Sequence, residues 1–193
     1  MKTLILDSST NLLYTALLEQ DEIIYESYIK GKNDHASAIV VEINEAIKKA
    51  NIELKNLNRI IVGYGPGSYT GVRMAVTVGK MIATLEPSIK LYTISTLLLM
   101  ASGIRGRVCS MIDARRNNCF GCIFDTISEE YCIKEAFIEA DELLKNAYEF
   151  LVTEAEFKVD PHLVMKLATL VEEPRLLVPH YLRDTEAERN LNA

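Results

Sequence analysis

The chain of 193 residues has no tryptophan, three histidines, four cysteines, nine glycines and five prolines. So little glycine and proline excludes a low-complexity or collagen-like chain. The cysteines, Cys109, Cys119, Cys122 and Cys132, are spaced in a way that invites a zinc reading. The segment CFGCIF around Cys119 and Cys122 reads as a strand, however, and residues three apart on a strand point to opposite faces. No metal site is assigned. Long apolar runs are also missing. The N-terminal run is only residues 4–6, and the longest candidate, residues 94–101, is too short for a membrane span. The expectation is a cytoplasmic protein with no membrane contact. Positive charge is in deficit, with 21 Lys and Arg against 27 Asp and Glu, a net charge of −6. Such a chain repels phosphate backbones at long range, which argues against nucleic-acid binding on its own. Arg115 and Arg116 form the best local basic patch.

What is present is an ordinary globular composition, long enough to bury a core. Strands are expected over residues 2–6, 12–18 and 23–29, joined by turn-forming clusters. A helix capped by Asn33 or Asp34 follows, with apolar residues at Ile39, Val40, Ile43, Ala46, Ile47 and Ala50. Residues 59–64 read as a strand, and a helix runs from the glycine loop to about Leu85. A short strand at 90–93 and a helix capped by Ser95 complete this half. After residue 105 the pattern restarts: a strand at 108–112 ending in Asp113, strands at 119–124 and 131–138, and a short helix at 140–147. A strand at 149–153 and a helix from Pro161 to about Val171 follow. Two β-β-β-α-β-α units, the second truncated, predict an α/β protein of the actin-like ATPase (ASKHA, RNase H-like) fold. Subdomains are expected at residues 1–104 and 105–193.

The segment GYGPGSYTGVRMAV, residues 63–76, fits neither a P-loop nor a dinucleotide fingerprint. Gly67, Ser68 and Thr70 at a helix start have the makings of an anion site. A tight turn needing positive φ is the favoured reading on the residues alone. Asp7, Ser8, Ser9 and Thr10 after the first strand, with Asp113 as the matching acid of the second half, are the other candidates for nucleotide or anion contact.

The helix after the loop carries Gly71, Ala75, Gly79 and Ala83 at a strict spacing of four. A stripe of small residues lets another backbone approach closely. With Val72 and Val76 beside it, this helix is too apolar for one covered face. Either the first helix covers the rest or a second chain does. The expectation adopted is a partner interface on this helix and its neighbour, through Ile39, Ile43, Gly71, Val72, Ala75, Val76, Gly79 and Ala83.

DSST at 7–10, His35, GYGPGSYTGVRMAV at 63–76, IST at 94–96, IDARRN at 112–117 and PHYLR at 179–183 together resemble the TsaB (YeaZ) family. The second subdomain is shorter than in family members. The resemblance implies a non-catalytic partner in making threonylcarbamoyladenosine in tRNA, pairing with the catalytic paralogue TsaD and the ATPase TsaE. It also implies a homodimer in isolation, both interfaces built by the first two helices, and only indirect contact with tRNA. No cofactor is implied for this chain, with ATP or ADP admitted only at the complex interface. His35 is followed by Ile39, so a two-histidine metal pair four apart is missing. The alternative reading is a weak ATPase or kinase relative using Asp7, Ser8, Thr10 and Asp113. A peptidase is disfavoured because no nucleophile–base pair is evident.

Overall fold

A computed structural model of the chain describes residues 1–20, 22–31 and 35–183. The expected caps Asn33 and Asp34 lie outside the described residues, as does the side chain of His35. The first subdomain begins with an antiparallel meander of β1 (Lys2–Asp7), β2 (Leu12–Glu19) and β3 (Glu22–Lys30). Helix α1 (His35–Lys49) crosses to β4 (Arg59–Gly63), which lies parallel to β1, and α2 (Tyr69–Leu85) crosses to β5 (Lys90–Ile94), parallel to β4. Ser95 caps α3 (Thr96–Ala101), its hydroxyl accepting from the Leu97 N–H.

The second subdomain repeats the scheme with β6 (Arg107–Asp113), β7 (Asn118–Asp125) and β8 (Glu130–Glu139) as an antiparallel set. Helix α4 (Ala140–Leu144) leads to β9 (Phe150–Thr153), parallel to β6, and α5 (Pro161–Leu167) follows. With a last strand β10 (Thr169–Leu170), the two sheets have strand orders β10-β5-β4-β1-β2-β3 and β8-β7-β6-β9. This is the expected mixed α/β, actin-like arrangement with a shortened second half.

Two helices end earlier than expected. Helix α4 stops at Leu144 rather than at residue 147, and the Asn146 side chain donates to the Glu142 and Leu143 carbonyls. The helical pattern of α5 runs on to about Val171, but α5 stops at Leu167 and β10 pairs antiparallel with β5. Asp160 accepts from the N–H groups of His162 and Leu163, and Pro161 opens the helix, so its start is as expected. Its end is decided by the unpaired edge of β5, which takes up Thr169 and Leu170. The chain after residue 168 therefore returns to the first sheet, although it follows the second subdomain in sequence.

β1 is buried on both faces. Leu4 and Leu6 join the core under α1 and α2, while Ile5 joins the layer between the two sheets with Tyr14, Ile61, Val108 and Phe124. A third, smaller core of Cys109, Cys119, Ile123 and Leu143 lies under α4. Cys122 packs in the layer between the sheets, so Cys119 and Cys122 face opposite ways across β7.

The β1–β2 turn presses onto α2 at Gly71, where a Cβ would overlap the backbone carbonyl of Ser8. Gly71→Ala is expected to cost on the order of 3 kcal/mol, because the obstacle is backbone and cannot swing away. Met81→Ala, on an exposed position of the same helix, should stay within about 0.5 kcal/mol of the parent. Urea denaturation of the two variants checks this pair, and equal midpoints would contradict the packing described.

Candidate partner-binding face

The β1–β2 turn docks onto the start of α2. The Ser8 hydroxyl donates to the Gly71 carbonyl at 2.7 Å and accepts from the Ala75 N–H at 3.2 Å. The Ser68 N–H donates to the Ser9 carbonyl at 2.7 Å. Ser68 also caps α2 by accepting from the Gly71 N–H. Gly65 has φ of 108°, the positive φ that the turn reading requires, and a Cβ there would stand 2.8 Å from the His180 carbonyl.

Asp7, Ser8, Ser9 and Thr10 are all buried, and their polar groups are engaged within the chain. Asp7 accepts from the Ser9 N–H at 2.8 Å, from the Ser9 hydroxyl at 3.3 Å and from the Thr96 hydroxyl at 2.7 Å. Thr10 bonds to the backbone of Leu12. Gly67 and Gly71 are pressed against the Ser9 and Ser8 backbones. The candidate anion residues are thus brought together, but as a packed joint. Ser68 and Thr70 face solvent at its edge. Asp113 stands apart, exposed on the β6–β7 hairpin, where it accepts from the Arg115 N–H at 2.9 Å. That hairpin turns through residues 115–117 at φ of 66°, 53° and 59°. Among the described residues, no group of three His, Cys, Asp or Glu side chains could hold a metal ion. No helix among them is long and apolar enough to cross a membrane.

The small-residue stripe does not face outward. Ile39, Ile43, Gly71, Val72, Ala75, Val76, Gly79 and Ala83 are all buried by the chain's own residues. Gly71 receives the Ser8 backbone, and Gly79 receives Val62 and Leu91, where a Cβ would stand 2.7 Å from Val62 Cγ1. The expected interface set is therefore corrected: a charge at Ala75 or a large side chain at Gly79 would break the fold before it reached a partner.

The exposed face of α2 is a different stripe with the same period. Tyr69, Arg73, Thr77, Met81 and Leu85 recur at every fourth position and are solvent-facing, with Met81 52% and Leu85 71% exposed. On α1, Val40 and Val41 are exposed, at 53% and 55%. Between the helices runs an open, mostly apolar groove of about 450 Å³, lined by Ile39, Val40, Tyr69, Arg73, Met74 and Val78. Arg73 lies over the Tyr69 ring, 3.9 Å from its centroid. Apolar side chains so exposed on two adjacent helices form the kind of patch that marks a protein interaction site. The expected stripe of small residues is thus the buried one, and the exposed stripe is the set offset from it by two residues.

Burial pushes the Asp7 carboxyl up to about 6, outweighing the hydrogen bonds from Thr96 and Ser9 that lower it. The folded chain thus holds this proton more tightly than the unfolded one. Stability from this group is full below the ordinary value of 3.8 and is lost as pH rises through about 6. Asp7→Asn should remove that slope. Relative to the parent, it should gain on the order of 2–3 kcal/mol between pH 4 and pH 7.5, read from denaturation midpoints. Parallel pH profiles would contradict the assignment.

A family model described as TsaD, tRNA N6-adenosine threonylcarbamoyltransferase, matches residues 24–161. The Bacillus subtilis tRNA threonylcarbamoyladenosine biosynthesis protein TsaB is 32% identical over 123 residues, 62% of this chain and 53% of that one. TsaB of Escherichia coli is 28% identical over 120 residues, 60% of this chain and 51% of that one. The chain therefore spans about half the length of these curated relatives. An uncharacterised Mycoplasma genitalium protein is 25% identical over 94% of both chains. The solved structure of YeaZ from Pseudomonas aeruginosa superposes with a TM-score of 0.77 at 19% identity, covering 94% of this chain and 99% of that one, which shows the shared fold. The matched span and the repeated β-β-β-α-β-α scheme agree: the chain belongs to the TsaD family of threonylcarbamoyltransferase-type proteins, among its TsaB/YeaZ members.

Proposed function

We propose that this chain is a non-catalytic subunit in the biosynthesis of threonylcarbamoyladenosine in tRNA. It acts by docking the catalytic TsaD-type paralogue on its α1–α2 face. The observation that carries this reading is the apolar groove between α1 and α2, with Val40 exposed in its lining and Met81 and Leu85 exposed further along the same face of α2. An apolar face beside a fully satisfied polar joint suits association better than turnover. In isolation, the same face would pair with a second copy of the chain. TsaE would join through the assembled pair, and tRNA would be reached only indirectly, in keeping with the net charge of −6. The site of action is the cytoplasm.

The alternative, an ATPase or kinase relative, finds little to work with on Asp7, Ser8 and Thr10. The polar atoms of these three already have partners and the residues are buried, while Asp113, the fourth residue of that reading, stands apart on the β6–β7 hairpin. Any ATP or ADP would sit at the junction with the paralogue rather than in this loop.

Val40→Glu and Met81→Glu should leave the monomer's thermal midpoint nearly unchanged, since both side chains are half exposed. Each should weaken binding of the TsaD-type paralogue from the same organism at least tenfold, because the partner would have to bury an unpaired charge. Isothermal titration measures the affinity, and tRNA modification in the reconstituted mixture should fall with it. Undiminished binding by both variants would overturn the proposed face.

A further inference from the structure

The last described stretch, residues 177–183, ties separate parts of the molecule together. Beside α2, Lys80 donates to the Leu177 carbonyl at 2.8 Å. At the glycine loop, the His180 N–H donates to the Tyr64 carbonyl at 2.7 Å, and the two rings stack with centroids 5.2 Å apart. On β8 of the second subdomain, His180 Nε2 lies 3.2 Å from Glu135 Oε2. The Arg183 guanidinium stands 4.4 Å over the Phe137 ring of the same strand. At the groove, Tyr181 stacks on Tyr69, and its hydroxyl accepts from Arg73 Nε at 2.8 Å.

Residues 180–183 thus have one foot on the groove and another on the far sheet. Burial alone would raise the Glu135 carboxyl, but hydrogen bonds from His180, Ser95 and Tyr131 outweigh it and hold the group below its usual range. The β8 end of the strap is therefore anchored on a charged acceptor. Tyr181 of the strap, 41% exposed and stacked on Tyr69, also adds apolar surface beside the outer stripe of α2, and the segment leading into the strap adds more. Leu176 and Val178 are 71% and 70% exposed, and Arg175 lines a hollow with Met81 and Leu85. With the strap docked, a partner meets a wider face than with the strap released, and that difference is what allows binding to shift the strap.

We infer that residues 180–183 couple the α1–α2 groove to the second subdomain, so that a protein docking on Tyr69 and Arg73 tightens the hold of His180 on Glu135. This rests on the partner-face reading above. By reciprocity, Glu135 and Arg183 set the affinity of a face to which neither belongs.

The test uses the full chain, with Glu135→Gln and Arg183→Ala as variants and Arg183→Lys as the conservative control. Both disruptive variants should bind the TsaD-type paralogue three- to tenfold more weakly than the parent, Arg183→Ala at unchanged thermal midpoint and Glu135→Gln at a lower one because it loses a hydrogen-bonded carboxylate, and Arg183→Lys should recover most of the loss of the Arg183→Ala variant. In the parent, the paralogue should slow exchange of the His180 amide at least threefold by NMR. If the parent binds but both variants match it within twofold, or His180 exchange does not respond, the coupling is overturned while the partner face stands. If the parent does not bind, the partner face itself fails. The free chain then decides the coupling: Glu135→Gln must shift the Tyr69 and Tyr181 ring signals and speed His180 exchange, and unchanged signals overturn it.

Discussion

Everything in the first subdomain is arranged around the Ser8 hydroxyl, wedged between the Gly71 carbonyl and the Ala75 N–H of α2. Only a helix without a side chain at Gly71 admits the β1–β2 turn so closely. Once the turn is seated, Asp7 is sealed off and must take its hydrogen bonds from Ser9 and Thr96. Gly79, two turns further on, lets the same helix settle onto Val62 and Leu91 of the sheet. The stripe of small residues is therefore a means of pressing α2 onto its own sheet and turn, and dense contact there repays the conformational entropy of an ordered loop.

Fixing the inner side of α2 fixes the outer side as well. A helix turns by 100° per residue, so the stripe at Tyr69, Arg73, Thr77, Met81 and Leu85 must point away from the sheet. Its first part, Tyr69, Arg73 and Thr77, makes beside α1 a groove whose apolar lining has no cover within the described chain. The strap then extends that groove through Tyr181 and carries on to β8. This build underlies the proposed role of holding another protein and sensing being held. Its polar residues after β1, by contrast, are committed to the joint and have no free surface for chemistry.

Much of this was legible in the sequence. Period-two and period-four patterns place the two β-β-β-α-β-α repeats, and the strand through Cys119 and Cys122 puts those thiols on opposite faces as its alternation requires. The family resemblance rests on the glycine loop and agrees with the fold. What stayed hidden depends on tertiary neighbours. Two stripes on α2 share one period, and only the position of Ser8 shows which is buried. The segment after Leu167 continues a helical pattern, yet the open edge of β5 takes it as a strand. PHYLR is five residues with no periodicity; its role comes from Tyr64, Glu135 and Tyr69, which lie 45 or more positions away in sequence.

The central claim is that α2 spends its small stripe on its own fold and offers the opposite stripe to a partner. Oxidative footprinting with and without the TsaD-type paralogue addresses it directly, because Met81 is half exposed on the outer stripe while Met100 is fully buried. Strong protection of Met81 and Tyr69 on complex formation, with Met100 unlabelled throughout, is the result this account predicts. Equal labelling of Met81 in the free chain and in the complex would contradict it.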